Sequence, residues 1–377
     1  MRQTARILST YAADVSGVCS ALFELGGMTV MHDASGCNST YNTHDEPRWY
    51  DSDSLVFLSG LSELEAVMGD DGKLVRDVAE AAEQLRPAFI ALAGTPIPMV
   101  IGTDFSALAA LIEARTGIPA FGFATNGMHS YLSGASMAFA ALAERMVEDT
   151  AERFPGTVNL LGVTPLDFSV NGAAASMGRR LAAEGFTVNA CWAMGDGLDS
   201  IRRSGRAAVN LVVSWCGLAA ARVLRRRFGT PYVVGTPTGE AFTRLLAERL
   251  RQAAADGRDR LAVTERLGGE APDLTLIGES VTTASLAAAI GLEYGKRVQV
   301  VCPLETEAGL LLPGDIRAGD EEALTPLLGE ARAVAADPLY RPLCPEGVAF
   351  YPLPHEAFSG RIYRNELPNL VDSIQRK

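Results

Sequence analysis

The sequence predicts an α/β protein built as three successive units, each a parallel sheet flanked by helices. Three observations carry this. Short apolar runs recur, each closed by a Gly/Ser/Thr-rich loop and followed by a longer helical stretch, which is the alternation that parallel sheets with crossover helices require. Two Gly/Pro-bearing breaks, Arg153–Thr157 (RFPGT) and Gly268–Pro272 (GGEAP), divide the pattern into thirds. The 377 residues are 48% hydrophobic and 21% charged, a globular balance with ample material for several cores. The expected units are 1–154, 155–268 and 269–377. No sequence repeat of solenoid type accompanies them.

In the first unit the strand candidates are Thr29–Met31, Leu55–Leu58, Phe89–Leu92 and Ala120–Phe123. Each is a run of three or four apolar or β-branched residues that stops at a loop: His32–Cys37, Ser59–Gly60, Gly94–Pro98 and Ala124–Gly127. Helices are expected at Asp71–Leu85 and Phe105–Arg115. The second unit has strands at Val158–Val163, Thr187–Ala190, Ala208–Val213 and Tyr232–Val234, with helices at Ala173–Glu184, Ser200–Arg206 and Leu218–Phe228. The third has strands at Leu274–Ile277, Val298–Val301 and Val348–Tyr351 and a helix at Thr282–Leu292. Ligands of such sheets sit at the carboxyl ends of the strands. That places His32, Asp33, Cys37, Thr95 and Asn126 on one edge, and Ser214, Trp215 and Cys216 on the matching edge of the second unit.

Composition narrows the function classes. With 33 Lys and Arg against 45 Asp and Glu, the formal charge is −12, which disfavours nucleic acid as a partner because phosphate binding needs a basic face. No run of 18 apolar residues is present, so no membrane span is expected. The opening residues MRQTARILSTYAADVSG lack the apolar core of an export signal, which suggests a cytoplasmic, reducing setting. There the six cysteines, Cys19, Cys37, Cys191, Cys216, Cys302 and Cys344, are expected as thiols. No C-x-x-C pair occurs, and the plain reading of any one of them is a small buried hydrophobe.

The densest chemistry lies in Asp14–Asp51, with two cysteines, two of the four histidines and Trp49. Cys19 is expected just ahead of a helix and Cys37 just after a strand, eighteen residues apart. Thiolates beside Gly-rich backbone suit an iron–sulfur cluster; inert thiols in a packed strand–loop–helix are the alternative. A [4Fe–4S] cluster takes four thiolates, and a twofold homodimer supplies four from two per chain. Zinc on the same thiolates is the other metal reading. Gly94–Asp104 reads as a strand-to-helix loop in which Thr103 or Asp104 caps the next helix. Gly235–Gly239 reads as a turn, with anion binding through its amides as the alternative. There is no G-x-x-x-x-G-K-[ST] motif. Arg222, Arg225, Arg226 and Arg227 read as a solvated face or a docking surface. His355, in YPLPHEAF, reads as a structural histidine, with acid/base or ligand chemistry as the sharper alternative.

At these motifs the chain resembles the nitrogenase component 1 family, which includes the nitrogenase molybdenum–iron protein, its cofactor-assembly scaffolds, dark-operative protochlorophyllide reductase and the nickel-sirohydrochlorin reductive cyclase. His32-Asp-Ala-Ser-Gly-Cys37 resembles the family's H-G-x-x-G-C segment, and Cys19 with SALFELGGM its earlier Cys–helix–Gly segment. Pro96–Asp104 resembles its C-P-x-x-x-I-G-D-D loop, and Val158–Asp167 with Ala207–Gly239 resembles its second domain. The resemblance runs from about Ala13 to Gln299. It implies three Rossmann-like domains and a cluster at a subunit interface, fed by a separate ATP-dependent iron–sulfur reductase. That cluster would relay electrons to a substrate or cofactor between domains. Cys19 and Cys37 become the implied ligands of a [4Fe–4S] cluster shared by a homodimer, a heterodimer with a related subunit being the other arrangement. Where the family has its third cluster cysteine the chain has Thr95, with Asp33 a candidate oxygen ligand; where the nitrogenase cofactor cysteine stands it has Ser214, with Cys216 two residues on as a candidate cofactor-binding residue.

The resulting expectation is an oxidoreductase of nitrogenase-like type acting on a small molecule or metallocofactor. His32, His44, Asp45 and His129 are candidate proton donors. A non-catalytic scaffold or carrier for a metallocofactor or its precursor is the second expectation, and a metal-free small-molecule binding shell the third.

Overall fold

The structure is a computed structural model; it describes residues 6–7, 10–34, 45–269 and 271–374. It contains three all-parallel sheets. The first unit opens with helix α1 (Asp14–Leu22) and strands β1 (Met28–His32) and β2 (Leu55–Leu58), followed by α2 (Glu63–Met68) and α3 (Gly72–Leu85). Strand β3 (Ile90–Gly94), α4 (Pro96–Ile101), α5 (Phe105–Thr116), β4 (Ala120–Phe123) and α6 (Tyr131–Arg145) complete it. The strand order is β2-β1-β3-β4, so β1 and β3 are central and wholly buried, as their unbroken apolar runs require.

The second unit runs β5 (Phe154–Leu161), α7 (Pro165–Phe168), α8 (Ala173–Ala183), β6 (Thr187–Cys191), α9 (Leu198–Arg202) and β7 (Ala207–Val212). It continues with α10 (Leu218–Phe228), β8 (Tyr232–Val234), α11 (Glu240–Asp256) and the short β9 (Arg260–Leu261), in the order β6-β5-β7-β8-β9. The third runs β10 (Leu274–Ile277), α12 (Ser280–Tyr294), β11 (Val298–Cys302), β12 (Ile316–Arg317), α13 (Glu321–Gly329), β13 (Ala333–Ala336), β14 (Ala349–Pro352) and α14 (Glu356–Ser359). Its order is β12-β11-β10-β13-β14. None of these helices is long and apolar enough to cross a membrane.

Several expectations are corrected. Cys19 lies inside α1, not ahead of it. The segment read as the loop Gly94–Pro98 becomes α4 from Pro96, with proline at the first helical position where its missing N–H costs nothing. Helix α6 and strand β13 were not anticipated, and Ser200–Arg206 divides into α9 and a 3-10 turn. Of the α10 arginines, Arg222, Arg225 and Arg226 stay solvated and pair at the surface with Glu307, Asp259 and Glu144, whereas Arg227 pairs with Asp149 and donates to the carbonyls of Ala143 and Val147. Asp104, as expected, caps α5 by accepting from the Ala107 N–H at 3.0 Å.

A close helix crossing holds the first unit together, and buried side chains join it to the second. Helix α1 crosses α6 so closely that a Cβ on Gly17 would sit 1.9 Å from the Tyr131 carbonyl oxygen, and one on Gly134 1.8 Å from that of Asp14. The buried Arg48 guanidinium then ties the first unit to the second. It donates to Glu24, Glu46 and the carbonyls of Ser20 and Ala193, and lies 4.9 Å from the centre of the Phe23 ring. Trp192, fully enclosed with its indole N–H on Ser204 Oγ at 2.9 Å, packs edge-on to Phe139 of α6. Burial of one such ring stabilises by about 2–3 kcal/mol.

Candidate functional site

Two places collect the residues that could carry chemistry. The first is the carboxyl edge of the first sheet. Thr95, at the N-terminus of α4, donates its hydroxyl to the His32 carbonyl (3.1 Å) and to Asp33 Oδ1 (3.0 Å), so β1 and β3 do bring these three together. His32 is buried with Nδ1 2.8 Å from Ser59 Oγ, and its Nε2 has no hydrogen-bond partner. Burial holds its imidazole down, toward the neutral form. Asp14 gathers the far end of this edge, accepting from the N–H groups of Asn126 (3.0 Å) and Gly127 (2.8 Å), with His129 Nδ1 3.7 Å away. His129 itself is exposed, and Asp45 accepts from the Tyr11 hydroxyl at 2.8 Å. Cys37 and His44 lie outside the described residues.

Cys19, the other implied cluster ligand, has no solvent exposure among the apolar residues of α1, and burial together with the Glu46 charge raises its thiol. Among the described residues no three His, Cys, Asp or Glu side chains are grouped to hold a metal ion.

The second place was not legible as a unit in the sequence. Where the carboxyl ends of the second and third sheets face each other, a cavity of about 80 Å³ opens. Asp167 and Ser169 reach it from the loop after β5, Thr236 and Thr238 from the loop after β8, and Gly278, Thr282 and Thr283 from the start of α12. Asp337 follows β13 and His355 follows β14. The segment 367–371 closes it from outside. That strap is anchored on α8: Arg180 donates to the carbonyls of Val371 and Asp372, and Asn369 donates to Ser176 Oγ.

Side chains from all three units meet at Asp167, which lines the cavity with His355 while Tyr131 stands behind it. Tyr131, the first residue of α6, donates its hydroxyl to Asp167, whose other oxygen accepts from Thr164 Oγ1 at 3.3 Å. His355 Nε2 stands 3.6 Å from Asp167 Oδ1. His355 caps α14 by accepting the Ala357 N–H on Nδ1 (3.3 Å), so the neutral ring carries its proton on Nε2, facing Asp167. Asp337 fixes this loop by accepting from the His355 N–H and Ser359 Oγ, both at 2.8 Å. Burial and the Asp167 charge raise the Tyr131 phenol well above its usual range, so it remains a donor.

Behind the floor, Glu279 caps α12 and also accepts from the Trp215 N–H at 3.1 Å. Burial and Asp167 push it up to about 7. Cys216 stands here too, fully enclosed, 3.5 Å from Ser214 Oγ, its thiol raised by burial; it, Ser214 and Trp215 do not line the cavity. Ser169 holds φ +54° and ψ −175°, a conformation normally left to glycine. Such strain persists where surrounding structure over-determines it, and it clusters at binding sites.

Comparison with known proteins places this geometry. The profile of the family "nitrogenase component 1 type oxidoreductase" matches residues 16–278. The nitrogenase molybdenum-iron protein alpha chain of Clostridium pasteurianum is 26% identical over 182 residues, 47% of this chain and 33% of that protein. A light-independent protochlorophyllide reductase subunit from Prosthecochloris aestuarii is 35% identical over 102 residues, 27% and 19% of the two chains. The nitrogenase iron-molybdenum cofactor biosynthesis protein NifE of Bradyrhizobium diazoefficiens is 27% identical over 221 residues, 56% and 38%. The match thus spans between a fifth and two fifths of these relatives' lengths. The solved structure "Nitrogenase Cp1 at pH 5" superposes over 100% of this chain and 92% of its own, with a TM-score of 0.66 at 17% identity, so the fold is shared from end to end. With its family profile covering most of the chain and its three-sheet fold matched throughout, this protein belongs to the nitrogenase component 1 type oxidoreductase family.

Proposed function

We propose that this protein is the substrate-holding component of a two-component reductase. A separate ATP-dependent iron–sulfur protein would supply low-potential electrons, and a small molecule or metallocofactor would be reduced in the cavity between the second and third sheets. The observation that carries this is the pairing of Asp167 and His355 in the wall of that cavity, with Tyr131 of the first unit bonded to Asp167 from behind it. Reduction by single electrons needs protons delivered at the same place. His355 presents an N–H there, and Tyr131 holds Asp167 in place beside it. The assembly we propose is a homodimer in the cytoplasm. A [4Fe–4S] cluster, for which Cys19 and Cys37 of each subunit would be the ligands, would supply one-electron chemistry.

A carrier for a metallocofactor or its precursor is the second reading. It is favoured by the share of the chain, 56%, that aligns with a protein named for cofactor biosynthesis. Anoxic preparation with iron counted per dimer, followed by ATP-dependent turnover with a nitrogenase iron protein, separates the readings. Iron-bearing protein whose turnover falls in His355→Gln supports the reductase. Iron or cofactor that is bound and handed on without turnover identifies the carrier. Colourless, iron-free protein after anoxic reconstitution overturns the redox reading. Cys19→Ser is expected to lower the iron counted per dimer.

A further inference from the structure

The cavity has a charge character of its own. Among its lining residues there is no lysine or arginine, whereas two carboxylates, Asp167 and Asp337, contribute to its wall. The Asp167 side chain is completely enclosed, and its partners are the neutral hydroxyls of Tyr131 and Thr164 and the imidazole of His355. Asp337 is answered by backbone N–H groups and Ser359, and Glu279, equally enclosed, repels Asp167 from behind. The arginines of neighbouring elements are committed elsewhere: Arg180 to the strap carbonyls and Arg364 to Glu356. Carboxylates taken out of water without a cation beside them are costly unless other donors compensate. A cation entering the cavity relieves that cost, and an anion adds to it.

The polar groups without partners agree with this. Ser169, Thr238 and Thr283 are 4%, 3% and 8% exposed and line the cavity, and the hydroxyl of none of them hydrogen-bonds to a described residue. Each hydroxyl can donate one hydrogen bond and accept two, so these oxygens can receive N–H donors while their own protons turn to other acceptors. The volume of about 80 Å³ is roughly five to eight times what one water needs by the same measure, about 10–15 Å³, so it suits an occupant of a few heavy atoms.

We propose that this cavity binds a small organic cation of the ammonium class, its charge set against Asp167 and its N–H groups received by Ser169, Thr238 and Thr283. The proposal rests on the same cavity as the function above but not on its redox chemistry, so the two fail separately: binding is read on iron-free protein without turnover.

Ethanolamine is the probe, with glycolate as the anion of similar size and tetramethylammonium as a cation without N–H groups. A ligand of four heavy atoms reaches at best roughly tens of micromolar, so calorimetric titration of the intact protein runs from about 10 μM to about 50 mM at constant ionic strength. The expected result is saturable ethanolamine binding with neither control bound. Asp167→Asn should weaken it about tenfold or more. Thr238→Val, which leaves the Tyr131–Asp167 contact untouched, should weaken it by a smaller factor of about three and keeps the test decisive if Asp167→Asn misfolds. Absence of ethanolamine binding by the unaltered protein, equal binding of either control, or undiminished affinity in every folded variant overturns the proposal.

Discussion

At the scale of single residues, the thiols separate by burial rather than by motif. Cys19, Cys191, Cys216 and Cys302 are enclosed, and burial raises each thiol, that of Cys302 to about 12. Cys344 is only partly covered. Reactivity follows thiolate fraction and access. Among the five described cysteines, Cys344 is therefore expected to label first with iodoacetamide under native conditions, with the other four following only on unfolding. Peptide mass spectrometry reads the order; early labelling of Cys19 would show that α1 opens to solvent. The sequence singled out Cys19 correctly as lying near a helix, but whether a thiol faces a core or a surface is a property of what packs on that helix. The same limit hid the cavity. Tyr131, Asp167 and His355 are separated by up to 224 positions, and each has an unremarkable local context. Only the closing of three sheets brings them together.

At the scale of elements, the strands were the most legible part. Leu55–Leu58, Ala120–Phe123, Tyr232–Val234 and Leu274–Ile277 form where their apolar runs place them, because turn residues bound each run on both sides. Helix α6 escaped notice for a physical reason. YLSGASMAFAALAER packs against both α1 and α10, so it is small and apolar around most of its circumference and lacks the one-sided stripe that marks a surface helix. Helix α11 carried a readable stripe, Phe242, Leu246, Leu250 and Ala253, which the turn before it overshadowed. The small residues of α6 are the counterpart of its closeness to α1. Gly17→Ala places a methyl group against the Tyr131 carbonyl, where backbone cannot yield cheaply. A loss of about 2–4 kcal/mol in chemical denaturation is expected. Because the displaced residue is Tyr131 itself, the contact with Asp167 should loosen as well.

At the scale of the whole molecule, the units are joined by charged groups buried at their seams. Glu279 accepts N–H bonds from α12 of the third unit and from Trp215 of the second. Its ordinary value of 4.5 is pushed up to about 7 in the fold. Between those two values the folded protein holds a proton that the unfolded chain has released. This contribution is therefore complete below pH 4.5 and is lost as pH rises toward 7, by roughly 3 kcal/mol. Denaturation of Glu279→Gln across this window should give a flatter dependence on pH than the unaltered protein, whatever its absolute stability. An unchanged slope would assign the pH dependence to other groups.

The strap across α8 gives the cavity a mechanical property. Its backbone carbonyls are held from the second unit by Arg180 and Asn171, while its apolar side chains form the outer wall. Access and cohesion are therefore the same latch. An occupant that fits within the closed volume leaves the second and third sheets clasped, whereas a larger one must first lift residues 367–371 and so unfasten the seam between them. An oversized guest would thus meet its resistance at the strap rather than at the floor where Asp167 and His355 stand.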